Sequence, residues 1–262
     1  YPDALVTGYK DKDGNIHWIT TPSSMHVEMR LGENDFGSGG VIGYDRSSLD
    51  IEYIKNYASV ENMVNLNVKT GGVIGTIEQS HESIVNVSNV YNYGSVRGMK
   101  QVGGILGRTK FCTVNMKDCT NYGEVYCQSG IVGGLIGAIY DVRELETYFT
   151  HCDNHGHVYT SGTTGAGGIL GQFDSTKNVT AYFNDCDNTG VIEKEGATAP
   201  VESNKIGDFV GNGAGGGATG SLNYYFDMCQ SYGTSKSSNG FVGNGGTVVR
   251  ITNCLDATGK VT

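Results

Sequence analysis

The apolar positions of this chain fall into two short patterns that alternate along its length. The first is Gly-Gly-apolar-apolar-Gly, at Gly39 to Gly43, Gly71 to Gly75, Gly103 to Gly107, Gly133 to Gly137 and Gly167 to Gly171. Successive starts differ by 32, 32, 30 and 34 residues, and two degraded copies follow at Gly207 to Gly211 and Gly240 to Gly243. An apolar pair bounded by breakers is too short for a helix. It fits a short strand whose glycines let the backbone turn a corner. The second pattern is apolar-x-x-Cys-x-Asn-aromatic-Gly-x-Val. It occupies Val87 to Val96, Met116 to Val125, Phe149 to Val158 and Phe183 to Ile192, with looser copies at Ile51 to Val60, Phe226 to Ser235 and from Ile251 onward. Its alternation predicts a strand running into an Asn-x-Gly turn, where Gly156 is expected to supply positive φ.

Two patterns in fixed order, recurring about every 30–35 residues, lie in the period range of solenoids and propellers. The expected fold is all-β: a parallel β-helix or β-solenoid of about seven rungs, wound right-handed by extension from the rule for parallel crossovers. Seven rungs spaced ~4.8 Å apart rise only about 34 Å, so each coil must be wide. Equivalent residues should then stack. Cys119, Cys152, Cys186, Cys229 and Cys254 share one position, held by Val90 and Ile54 in earlier copies, which marks a small apolar core site. Asn92, Asn121, Asn154 and Asn188 share another, where stacked amides can hydrogen-bond along the stack. Tyr93, Tyr122, His155 and Tyr232 form a third column, interrupted by Thr189.

The repeat covers 39–192 as a regular array and 193–262 as irregular rungs with a glycine-rich loop. Residues 1–38 lack it and are expected to be an N-terminal cap or a frayed rung. Tyr9 to Trp18 reads as a hairpin with an Asp-Gly turn. A cap would shield the first open sheet edge.

Composition supports strands and turns: 41 of the 262 residues are glycine and only 3 are proline, with valine, threonine, tyrosine and asparagine plentiful. A net charge of −9 without basic clusters argues against nucleic acid and anionic membranes as partners. No apolar run approaches the ~18 residues of a membrane-spanning helix. The chain opens Tyr1-Pro2-Asp3 without a signal peptide. It is read as a mature form or as part of a larger chain.

Several groups invite a chemical reading. There are 7 cysteines, five of them in the core column, so buried free thiols are expected, although neighbouring rungs lie within disulfide reach. Cys112 and Cys127 fall outside the column and stay unassigned. His151, His155 and His157 are the metal-ligand candidates, but they sit at separate, tolerant repeat positions and no Cys-x-x-Cys pair supports zinc. Asp11 to Asn15 begins like a calcium loop and lacks its later ligands. His81-Glu82 lacks the second histidine of a zinc peptidase, and the Gly-x-Gly-x-x-Gly match at Gly211 to Gly216 has no helix to follow it. The catalytic candidates are carboxylates that share repeat positions, Asp153 with Asp187 and Asp118 with Asp185. Stacked carboxylates can serve as acid and base in a glycosidase or hold calcium in a polysaccharide lyase; solvated turn residues beside Asn-Gly are the simpler explanation.

The segments Val102 to Gly107, Val132 to Gly137 and Ala166 to Gly171, with the Cys-x-Asn-x-Gly-x-Val lead-in, resemble the GLUG motif. That motif occurs in large bacterial surface and adhesin-like proteins and in immunoglobulin A-cleaving metallopeptidases. The resemblance covers 39–192 well and 207–262 loosely. It implies a β-solenoid, an extracellular or cell-surface location, and a spacer or binding role with no cofactor and no catalytic residues of its own. The function expected is thus a non-catalytic extracellular segment of a bacterial surface protein, a spacer or adhesive scaffold that binds glycan or host protein. The alternatives are a carbohydrate-active β-helix and a substrate-positioning segment of a large secreted peptidase. Sixteen tyrosines suit a binding face.

Overall fold

In the computed structural model the described residues are 7–28, 37–46, 50–64, 68–162, 164–195, 205–213, 219–233 and 240–256. Among them every regular element is a β-strand, and no helix is long and apolar enough to cross a membrane. The chain winds as a parallel β-solenoid. Three sheets run along its length: a broad one of 14 strands and two narrow ones of 6 strands each. Glycine-box strands such as Gln101–Gly103 and Ile131–Gly133 build one narrow sheet. Strands such as Val96–Gly98 and Val125–Cys127 build the other. The long strands between them, such as Leu106–Asn121, build the broad sheet.

Six stacked strands in each narrow sheet enclose about five windings, not the seven rungs expected from counting glycine boxes. The seventh box forms only an isolated bridge, Val210 to Val242, and adds no strand to the narrow sheets. At the other end, Ile19–Thr21 pairs with Ile51–Asn56 and His26–Glu28 with Ser59–Asn62, so part of a turn precedes the first box. Tyr9–Lys10 and Ile16–His17 form a small antiparallel hairpin outside the solenoid, with Gly14 at φ 88°.

Register follows the repeat. Cys119 pairs with Cys152, Asn121 with Asn154, Met116 with Phe149, and Val96 with Val125. One long core lies behind the broad sheet, and its phenylalanines stack: Phe149 on Phe183 and Phe183 on Phe226, both at 4.7 Å between ring centres. A smaller core between the narrow sheets holds Val96, Val125, Val158 and Ile192. All seven cysteines are buried free thiols. Cys112 lies in the long core and Cys127 in the small one. Burial pushes both thiols up to about 12.

The two sequence patterns interlock at one corner. Asn92, Asn121, Asn154 and Asn188 are fully buried together with Asn56. Each amide Nδ2 donates to the next Oδ1: Asn56 to Asn92 at 2.8 Å, Asn92 to Asn121 at 2.8 Å, Asn121 to Asn154 at 2.9 Å and Asn154 to Asn188 at 2.9 Å. The same Nδ2 groups also donate to the carbonyl two residues on, as Asn121 does to Gly123 at 2.8 Å. The amides lie flat against the second glycine of the boxes. A Cβ on Gly104 would stand 2.5 Å from the Asn121 amide and 2.1 Å from the Gly134 carbonyl. The ladder and the glycine pair therefore require one another.

The Asn-x-Gly glycines are needed for space and not for φ. Positive φ among the described glycines is confined to Gly14, Gly220, Gly240 and Gly245, which overturns the expectation for Gly156. A Cβ on Gly156 would lie 2.0 Å from the Gly123 carbonyl of the preceding turn. The left-handed residue is instead the one before the cysteine column. Tyr53, Asn89, Asp118, His151, Asp185, Met228 and Asn253 all have φ between 50° and 55°. This position is left-handed in every copy and bends the strand at the same height each time; further left-handed residues lie elsewhere on the turns, at Phe111, Asp141, Glu144, Ser175, Asn178 and Asn244. Asn and Asp tolerate that conformation best, which accounts for their frequency there.

Candidate functional site

At this bend three outward columns run side by side along the solenoid. The first is the left-handed column, where His151 bridges two neighbouring turns. Its Nδ1 lies 3.2 Å from Asp118 Oδ1 and its Nε2 3.1 Å from Asp185 Oδ2. The second column runs Lys55, Tyr91, Thr120, Asp153 in register, with Asp187 and Gln230 continuing beyond. The Asp187 backbone N–H donates to Asp153 Oδ1 at 3.0 Å. Burial, reinforced by the charges of Asp187 and Asp185, lifts the Asp153 carboxyl to about 6. Burial and Asp185 raise Asp187 as well. The four candidate carboxylates thus lie on adjacent turns around His151, in two columns.

The third column is aromatic. Tyr57, Tyr93, Tyr122 and His155 stack at 4.6, 4.9 and 5.0 Å, with the tyrosine planes within 7° of parallel. Tyr93 and Tyr122 are 39% and 47% exposed, yet each ring face is covered by a neighbour. What this ladder offers to solvent is ring edges and phenol hydroxyls. His155 Nδ1 meets Thr189 Oγ1 at 2.6 Å. At the N-terminal end Trp18 packs edge-on to Tyr53 and tilted against Tyr91, with Lys55 Nζ 4.3 Å over its ring. The surface therefore grades from aromatic near the start to acidic near the middle.

The three histidine candidates are not brought together. His151 belongs to Asp118 and Asp185, His155 to the aromatic stack, and His157 to Glu193 at 3.0 Å and the Tyr159 ring. Among the described residues no group of three or more His, Cys, Asp or Glu side chains is arranged to hold a metal ion.

Several members of these columns went unrecognised in the sequence. Asn56 and Tyr57 extend the amide and aromatic columns by one turn; their copy of the repeat carries Ala58 where later copies carry glycine. A further outward stack stands on the broad sheet, Tyr148 on Tyr182 at 4.8 Å and Tyr182 on Tyr225 at 5.1 Å. Its signal was the Tyr-Phe dipeptide at 148, 182 and 225, with tyrosine outside and phenylalanine in the core. Comparison with protein-family models, with curated proteins and with solved structures finds no match to this chain.

Proposed function

We propose that this chain is a non-catalytic solenoid segment of a bacterial surface protein, a stiff spacer that also presents a binding face at or beyond the cell surface. The observation that carries the reading is the buried amide ladder. Asn56 to Asn188 are joined end to end inside the coil, with inter-turn backbone hydrogen bonds alongside. A coil bonded so continuously along its axis resists bending and extension, which is what a spacer needs. The outward columns repeat with the rungs and suit an extended ligand, a glycan or an extracellular protein, better than a small enclosed molecule. The GLUG-like boxes support the same assignment.

A carbohydrate-active reading draws on one observation, the Asp153 carboxyl raised to about 6 beside Asp187, which is the pairing an acid–base mechanism uses. Against it, the Asp187 backbone N–H already occupies Asp153, and Asp118 and Asp185 are engaged by His151. A glycan array combined with a reducing-sugar assay separates the two. Binding without release of reducing ends supports the spacer and adhesive reading. Turnover that disappears in Asp153→Asn or Asp187→Asn overturns it.

A further inference from the structure

The outer face of the broad sheet carries two parallel columns. One runs Asn86, Asn115, Tyr148, Tyr182 and Tyr225, the other Ser88, Lys117, Thr150, Asn184 and Asp227. The tyrosine stack ends abruptly at Tyr148, because the preceding turns place asparagines in its column. Tyr148 and Tyr182 are within 8° of parallel and 4.8 Å apart along the solenoid axis, so one face of Tyr148 is covered by Tyr182. The other face looks back along the axis over the short side chains of Asn115 and Asn86. A hollow of about 400 Å³ opens there, walled by Tyr148 and floored by Asn86, Ser88, Asn115 and Lys117. Unlike the rings of the Tyr93 ladder, Tyr148 offers an open face.

Resting on the adhesive reading above, we propose that this hollow is a saccharide-binding site for neutral pyranose units, with Tyr148 as its platform. An aromatic face next to planar amides and hydroxyls is the combination that binds the apolar face of a sugar and its ring of hydroxyls together. Asn86 already donates to Asp50 at 3.0 Å and Ser88 to Glu52 at 2.8 Å, so the polar groups are held in place before the ligand arrives. Asp50 and Glu52 outweigh Lys117 in charge and disfavour uronates and sulfated sugars. Orientation follows from the ring. A pyranose lying on Tyr148 has its plane across the solenoid axis, so the glycan follows the strand direction, parallel to the rungs, and does not run lengthwise. The Tyr148 hydroxyl donates to Glu146, which fixes the ring on its rim.

The test is titration of the whole chain with a panel of neutral tetrasaccharides (cellotetraose, mannotetraose and β-1,4-galactotetraose) against tetragalacturonate, by calorimetry and saturation-transfer NMR. We expect binding of at least one neutral member and none of tetragalacturonate. Tyr148→Ala should weaken binding about tenfold, while Tyr148→Phe, which keeps the ring face, stays within about threefold. Asn115→Tyr should prolong the stack by one ring, cover Tyr148 and abolish binding in a protein at least as stable as the parent, which separates loss of site from loss of fold. Failure of the wild type to bind any neutral member overturns the proposal, as does binding indifferent to Tyr148→Ala and Asn115→Tyr. Binding lost in Tyr122→Ala but not in Tyr148→Ala leaves the adhesive reading standing and refutes this site. Release of reducing ends would refute the non-catalytic reading while leaving the site intact.

Discussion

Replacing Asn121 by alanine strips the centre of the amide ladder. Asn121 is fully buried and makes three hydrogen bonds there: it accepts from Asn92 at 2.8 Å and donates to Asn154 at 2.9 Å and to Gly123 at 2.8 Å. The substitution leaves one Asn92 N–H, the Asn154 Oδ1 and the Gly123 carbonyl buried without these partners. Each orphaned group costs about 1–3 kcal/mol, so the loss is about 3–9 kcal/mol, a large share of the ~5–15 kcal/mol that holds a domain together. Asn188→Ala is the internal control. Asn188 accepts from Asn154 at 2.9 Å but donates only a long bond to Gly190 at 3.4 Å, and the next residue in its column, Ser231, has a buried Oγ without a hydrogen-bond partner. Its loss should cost about half as much. In the double variant Asn121→Ala/Asn154→Ala the acceptor orphaned by the first change is itself removed, so the two losses should be sub-additive. Urea unfolding followed by circular dichroism and by fluorescence reads the parent, the three single variants Asn121→Ala, Asn154→Ala and Asn188→Ala, and the double variant, and coincidence of the probes checks that one transition is measured. A cost for Asn121→Ala below about 1 kcal/mol, or equal to that of Asn188→Ala, would refute the view that the ladder joins the turns.

Gly134→Ala should cost about 3 kcal/mol or more in the same assay, because its Cβ would stand 1.9 Å from the Gly168 carbonyl and 2.5 Å from the Asn154 amide, with backbone on one side unable to yield; wild-type stability in that variant would sink the interlocking of the two patterns. The seven buried thiols should be silent to an aromatic disulfide reagent in the folded protein and all titrate in urea, and Cys152→Val should be tolerated where Cys152→Asp is not, since Val90 and Ile54 hold equivalent positions. Asp153 is raised from 3.8 to about 6, so the folded state holds its proton more tightly than the unfolded chain and stability falls as pH rises from about 4 to 6. Discounted for partial exposure, Asp153→Asn should be stabilising by about 1–2 kcal/mol above pH 6 and near neutral below pH 4. A difference between the two proteins that stays flat across that range would contradict the assignment.

The coil was readable from the sequence because a parallel stack imposes the same environment on equivalent residues, turn after turn. Asparagine recurs where a buried amide must both donate and accept, and cysteine, valine and isoleucine where a small apolar side chain fills the core. The number of turns was not readable, since Gly240 to Gly243 keeps all but one glycine of the box while forming only a bridge. The role of Gly156 was misread because two causes, positive φ and lack of room, select the same residue; only coordinates distinguish them. Asp118, His151 and Asp185 looked like ligands or catalysts when taken as residue types, whereas their shared backbone geometry, φ 50–53°, gives them a common structural origin. The hollow at Tyr148 depends on where a stack stops, a boundary between turns that no single copy of the repeat contains.

The buried amides all point the same way. Thr21 donates its hydroxyl to Asn56 at 2.6 Å, and from there every link passes from donor to acceptor toward the C-terminal end. The two ends of the row are accordingly unlike: the first must be met by a donor, the last by an acceptor. A duplicated turn can be inserted anywhere in such a row without redesign, provided it keeps the same polarity. Tandem copying of a gene segment supplies that orientation automatically, so the same chemistry that locks neighbouring coils together lets proteins of this construction vary in length by whole units.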